Sequence, residues 1–178
     1  NMRLAMIWQG DFIDGARHWN GRGQGYQPPA GDAVVNLPEG VALAALESSD
    51  SDWPAAEYRT KDLRFRGYFL DKMQRPTFKY ERGEVSVEDT PMPVAGASEE
   101  DFGKIKRLIK LKAKDAPKDL YFRVAQGNFE KKGKSFEGDE LAISVKGGEP
   151  VAHGEDLRVP IVFKGGNAQI EVTYSWSE

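Results

Sequence analysis

Hydrophobic and polar residues alternate along much of this chain with a period of two, and no long stretch carries a helical period. The clearest segment is LRFRGYFLDKMQRPTFKYERGEVSVEDTP, residues 63–91. It holds three alternating runs, Leu63–Leu70, residues 77–81 and residues 84–88. In the second, Phe78 and Tyr80 share one face while Thr77, Lys79 and Glu81 share the other. In the third, Val85 and Val87 face away from Glu84, Ser86 and Glu88. Side chains alternate sides along a strand, so the pattern predicts an antiparallel meander with one buried and one wet face. Residues 71–76 and Arg82-Gly83 are of hairpin length, and Gly83 can take the positive φ that a tight turn needs.

Further strands are predicted at residues 2–8, 34–37, 41–46, 104–112, 120–125, 140–145, 157–163 and 168–176. The last two are expected to form a hairpin around Lys164-Gly165-Gly166-Asn167. Leu108 and Ile109 break strict alternation, which predicts a bulge or a register change there. DFIDGA, residues 11–16, suits either a helical turn or a short strand. Residues 47–62 read as a polar surface connection carrying Trp53 and Tyr58. Short strands with turn chemistry between them predict an all-β fold, an antiparallel two-sheet β-sandwich of supersandwich-like type. One domain over residues 1–178 is expected, with a long irregular Gly-rich loop.

Composition agrees with that class. The chain has 178 residues with 19 Gly and 10 Pro, which supply many chain reversals. Its 25 basic and 28 acidic residues are interspersed, for a net charge of −3, so no excess of basic charge points to nucleic acid. The richest basic run is Lys104, Lys106, Arg107, Lys110, Lys112 and Lys114. Interleaved with Ile105, Leu108, Ile109 and Leu111, it reads as the solvated face of a strand. There are no cysteines, which removes disulfides, thiolate chemistry and zinc–cysteine sites from this segment. No apolar run reaches the roughly 20 residues of a membrane span. The abrupt start in an apolar strand, without the organisation of an export signal, suggests a piece of a longer chain.

The unusual stretch is DGARHWNGRGQGYQPPAGD, residues 14–32. It has neither a helical nor a strand period, yet it carries Arg17, His18, Trp19, Arg22 and Tyr26 among glycines, with Asp14 at its start. The glycines are not spaced as a dinucleotide fingerprint and lack a βαβ context. The two histidines, His18 and His153, are far apart, and neither has a second histidine at metal-ligand spacing. His153 is expected in a loop. No nucleophile elbow, zinc-protease helix or phosphate-binding loop occurs. Asp139, Glu140 and the GEDL segment at residues 154–157 lack the oxygen-rich loop of a calcium site and read as turn acids. Trp8, Trp19, Trp53 and Trp176 are candidates for stacking on sugars or for filling a core.

At MRLAMIWQGDFIDGARHWNGRGQGYQPPAGD, residues 2–32, the chain resembles a segment of large exported proteins of planctomycetes and their relatives. Those chains join such a region to c-type cytochrome and to sugar-dehydrogenase-like or other carbohydrate-related domains. The resemblance runs through Leu4, Ile7-Trp8, Gly10, Phe12-Ile13-Asp14, Arg17-His18-Trp19, Arg22-Gly23, Gly25 and Pro28 to Asp32. FRGYFLDKMQRPTFKYERGEVSVEDTP, residues 65–91, extends it to about half the chain. It marks a family and assigns no catalytic residue. It implies a periplasmic or extracellular setting, with a haem-bearing neighbouring domain in the parent chain and a carbohydrate as partners. This segment has no C-x-x-C-H, so it holds no covalent haem c of its own.

Three readings follow. The preferred one is a non-catalytic binding or docking module that takes a carbohydrate or packs against a cytochrome c domain, with no nucleic acid and no membrane insertion. Its candidate contact residues are Asp14, Arg17, His18, Trp19, Arg22 and Tyr26, on a loop held by a rigid scaffold. The alternative is a carbohydrate-active enzyme using Asp11 or Asp14 with His18 as acid and base. The third is structural, with Trp19 and Tyr26 plugging the end of the sandwich.

Overall fold

The computed structural model describes residues 2–19, 25–57, 61–98 and 102–177. They form an all-β protein whose sheets are antiparallel, with one helical turn. Residues 4–37 are one compact unit, and the rest of the chain is a second.

In the smaller unit, β1 (Met6–Gln9) pairs with β2 (Asp32–Asn36), with a register shift between Ile7 and Gln9. Its core is Ile7, Val35 and Leu37, all buried. Between the strands lies the turn α1 (Ala16–Trp19). Trp8 donates from Nε1 to the Asp11 carbonyl at 3.0 Å and stacks on Phe12, ring centroids 5.9 Å apart. Residues 11–15 join neither strand nor helix, so the open choice at 11–16 resolves into a loop that enters a helical turn at Ala16.

The larger unit contains β3 (Leu43–Ala45), β4 (Leu63–Leu70), β5 (Pro76–Arg82), β6 (Val85–Val94) and β7 (Lys104–Lys112). There follow β8 (Leu120–Gln126), β9 (Glu130–Lys132), β10 (Ser135–Glu137) and β11 (Leu141–Lys146). The chain ends in β12 (Val151–His153), β13 (Asp156–Pro160) and β14 (Asn167–Trp176). Eight strands make one sheet in the order β4-β5-β6-β7-β14-β11-β10-β9, and four make the other, β12-β13-β8-β3.

The two layers face each other across alternating apolar residues. Tyr80, Val87, Ile109, Leu111, Ile143, Ile170 and Val172 come from the larger sheet; Phe122, Val124, Leu157 and Val159 come from the smaller. Each fully buried side chain of this size contributes about 1.5–3 kcal/mol relative to exposure. Direct contacts cross the gap. Tyr174 Oη donates to the Val124 carbonyl at 3.0 Å, and the Arg107 guanidinium lies 5.1 Å from the Phe122 ring centre. The outer side of the smaller sheet carries a third layer, in which Val41, Ala44 and Leu46 pack with Trp53 and Tyr121.

The predicted meander is observed as β4, β5 and β6, and the predicted bounds of β4 and β7 match the structure. Three expectations are corrected. No bulge occurs at Leu108-Ile109: β7 keeps unbroken register with both β6 and β14. Alternation fails in composition only, because Arg107 occupies an inward position that the pattern reserves for an apolar residue. The predicted terminal hairpin is absent, since β13 and β14 belong to different sheets. The turn itself is present, with Lys164 and Asn167 exchanging backbone hydrogen bonds of 2.8 and 3.1 Å, but it carries the chain from one layer to the other. Finally, His153 ends strand β12 rather than lying in a loop, its Nδ1 3.9 Å from an Asp50 carboxylate oxygen.

Two glycine pairs mark two of the places where the chain changes layers. Gly147-Gly148 lead from β11 toward β12, and a Cβ on Gly147 would sit 2.1 Å from the Gln169 carbonyl oxygen. Gly165-Gly166 lead from β13 to β14, both with positive φ, and a Cβ on Gly166 would sit 2.6 Å from the Ala113 carbonyl oxygen. β6 runs on to Val94 through Pro91 and Pro93 because its ladder with β5 ends at Asp89. Beyond that point a missing N–H on that side interrupts no pairing.

Candidate functional site

Of the loop residues singled out from the sequence, Asp14, Trp19 and Tyr26 are described. Arg22 and the side chains of Arg17 and His18 lie outside the described residues. Asp14 is exposed, and its Oδ1 accepts the Ala16 N–H at 3.0 Å, a turn-forming contact of the kind short acidic side chains make ahead of a helix. Trp19 is 90 % exposed and Tyr26 75 %. A plug requires buried rings, and these two are not packed into a core.

A concentration of exposed apolar side chains lies on β4 and its following turn. Phe65, Tyr68, Phe69, Leu70 and Met73 are each between 46 % and 72 % exposed. β4 is the outermost strand of the eight-stranded sheet and is bonded to β5 on one side only. Register fixes where the rings point. Phe65 lies opposite Tyr80 and Tyr68 opposite Phe78, so both stand on the core-side face, with the Tyr68 and Phe78 rings 6.2 Å apart. Phe69 lies opposite Thr77 on the other face, where Lys79 Nζ is 4.9 Å from its ring centre. A register shift between Phe65 and Gly67 accommodates Arg66.

Three of the cations bordering this patch are matched by carboxylates, while Arg64 and Lys72 stand in no ion pair among the described residues. Arg66 pairs with Glu81 at 2.6 Å, Arg75 with Asp71 at 2.7 Å and Lys79 with Glu88 at 3.3 Å. Hydrogen bonding from Arg66 holds the Glu81 carboxyl below the usual range, and bonding from Arg75 does the same for Asp71.

Two buried polar clusters support the scaffold. Arg107, read from the sequence as part of a solvated face, is buried against Asp89. Its Nε donates to both carboxylate oxygens at 2.9 and 3.0 Å, and Nη2 donates to Oδ2 at 2.5 Å. Burial alone would lower the guanidinium pKa; the Asp89 charge overrides that and raises it. Beside this pair, burial raises the pKa of both Tyr80 and Tyr174, and Tyr80 Oη has no hydrogen-bond partner. In the outer layer, Arg158 donates to the Ser49 carbonyl at 3.1 Å and to the Ser51 carbonyl at 2.5 Å. Arg158 and Arg123 share Asp156, each at 3.2 Å, and their guanidinium groups lie 5.7 and 5.1 Å from the Trp53 ring centre. This tryptophan is therefore a structural clamp, its Nε1 donating to the Val41 carbonyl at 3.1 Å.

A half-open groove of about 600 Å³ lies at the opposite edge of the large sheet, lined by Asn128, Glu130, Glu137, Asp139 and Trp176 among others. Lys132 bonds Glu137 there at 2.5 Å. Among the described residues, no group of three or more His, Asp or Glu side chains is placed to hold a metal ion.

Sequence reasoning missed Arg107, Arg123 and Arg158 because basic residues in a strand default to solvent. It also passed over the β4 aromatics as ordinary strand residues. A signal was present: in FRGYFL, bulky apolar residues occupy both parities, which a half-buried strand does not need. No protein-family model, described protein or solved structure matches this chain.

Proposed function

We propose that this chain is a non-catalytic docking module that engages a partner through the β4 edge. The single observation carrying the proposal is the exposure of Phe65, Tyr68, Phe69 and Leu70 on an outermost strand, with Met73 in its turn. Large contiguous apolar patches mark interaction sites. A free edge also offers a row of N–H and C=O groups for strand addition. The setting suggested by the sequence belongs to the proposal: an exported, periplasmic or extracellular multidomain chain of planctomycete type with a cytochrome c neighbour. Exposed Trp19 and Tyr26 support a second, carbohydrate-binding surface on the smaller unit. The acid–base alternative has less support, because Asp14 is exposed and uses one carboxylate oxygen to hold the Ala16 N–H.

The docking reading requires that the β4 aromatics serve binding and not folding. Replacing Phe65 and Tyr68 together by Ser should leave the urea midpoint within the equivalent of about 0.5 kcal/mol of the parent. It should also abolish most binding of a hydrophobic fluorescent dye. A large loss of stability with dye binding intact would make the rings structural and end the proposal. For the smaller unit, calorimetric titration with a panel of oligosaccharides should give heat that Trp19→Ala removes; no heat with any sugar excludes that surface.

A further inference from the structure

Resting on the docking reading above, we infer that the occupant of the β4 edge is a second copy of this chain, paired antiparallel across a twofold axis. Three observations lead there. The first is edge chemistry: β4 is eight residues long, bonded on one side only, and carries apolar side chains on both faces. An isologous contact uses the same patch on both molecules, so a twofold matches each open backbone edge with its equivalent. Two eight-stranded sheets would then continue as one.

The second is area. Aromatic side chains present about 150–250 Å² each. Five side chains at half to three-quarters exposure therefore offer roughly 500 Å² per copy, or about 1,000 Å² for the pair, at the lower limit of a specific interface. The edge can thus sustain a weak, concentration-dependent dimer without help from another surface.

The third is charge. Arg66, Arg75 and Lys79 are each paired with a carboxylate of the same molecule, which leaves exposed Arg64 and Lys72 as a small positive excess at this edge among the described residues. Such a border is too weakly charged to select a polyion. Between two copies this excess is a weak repulsion that salt screens, and the net charge of −3 over 178 residues adds little.

Sedimentation equilibrium of the chain between about 1 and about 200 μM tests this; association at the lower limit of interface size belongs in that range. Reversible monomer–dimer exchange is expected, tightening modestly from low to high salt. Tyr68→Lys and Leu70→Lys should each weaken the dimer at least about tenfold, one decade being 1.4 kcal/mol. Phe69→Lys, on the other face, should do the same if the continued sheet buries both faces. Amide exchange supplies a readout independent of folding: β4 N–H groups should become protected as concentration rises, while those of β7 stay unchanged. A monomer at every concentration, with dye binding at β4 retained, overturns the second copy and leaves the docking reading intact. A dimer indifferent to all three lysine variants places the contact elsewhere and overturns it equally. If dye binding does not depend on β4 at all, the docking reading itself fails.

Discussion

β4 and β7 belong to the same sheet and draw on similar residues, yet they use them in opposite ways. β7, KIKRLIKLK, buries an arginine; β4, LRFRGYFL, exposes three aromatic rings. Position in the sheet decides. β7 has β6 on one side and β14 on the other, and the smaller sheet lies across its inner face, so even a guanidinium placed inward is sealed from water. Among the described strands β4 has a single neighbour, and Phe65 and Phe69 remain about half exposed. Both segments form long strands; what differs is the number of strand partners each finds.

The largest effect that would sharpen this contrast is at Asp89. Asp89→Ala leaves Arg107 charged and buried without its carboxylate, and should cost about 3–5 kcal/mol in urea unfolding. Replacing both partners, Asp89→Leu with Arg107→Met, should restore most of that loss, because well-packed apolar residues remove the uncompensated charge. An Asp89→Ala protein as stable as its parent would show that water reaches Arg107 and that β7 is not sealed.

A smaller effect is expected from high pH. Burial raises the Tyr80 and Tyr174 pKa values above the ordinary tyrosine value of about 10. With folded values above unfolded ones, the unfolded chain loses these protons first, so stability holds below pH about 10 and falls as pH rises beyond it. Tyr80→Phe should flatten part of that decline. A urea midpoint unchanged from neutral pH to about 11 would contradict the burial of both hydroxyls.

The smallest effect should be at the wet edge. Arg66→Ala breaks an exposed pair with Glu81 and should move the melting temperature by no more than measurement error, since such pairs are screened and entropically costly. A clear destabilisation would mean that β4 contributes more to folding than its exposure suggests.

The contrast also explains what could be read from sequence. Period-two runs located β4 and β7 to the residue, because each is long enough for alternation to register. β9, β10 and β12 have three residues each, too few for any period, and were not foreseen. The fate of Arg107 was hidden because its partner lies 18 residues away on β6 and meets it only through the β6–β7 register. The terminal hairpin failed for a related reason: turn residues fix how sharply the chain reverses, not which layer receives it. For the site, the loop at 14–32 drew notice through composition, whereas the edge strand looked ordinary. Nothing local to FRGYFL says that the sheet ends there.

The glycine pairs at 147–148 and 165–166 give the β12–β13 ribbon the character of a cassette sewn in by two narrow seams. Length can be added at the outer bend near Gly154, where a side chain would meet open space, without disturbing either seam. A single methyl group at Gly147 or Gly166 would instead wedge the stitching apart. Added residues are therefore expected to be tolerated beside Gly154, whose positive φ keeps the bend itself a glycine.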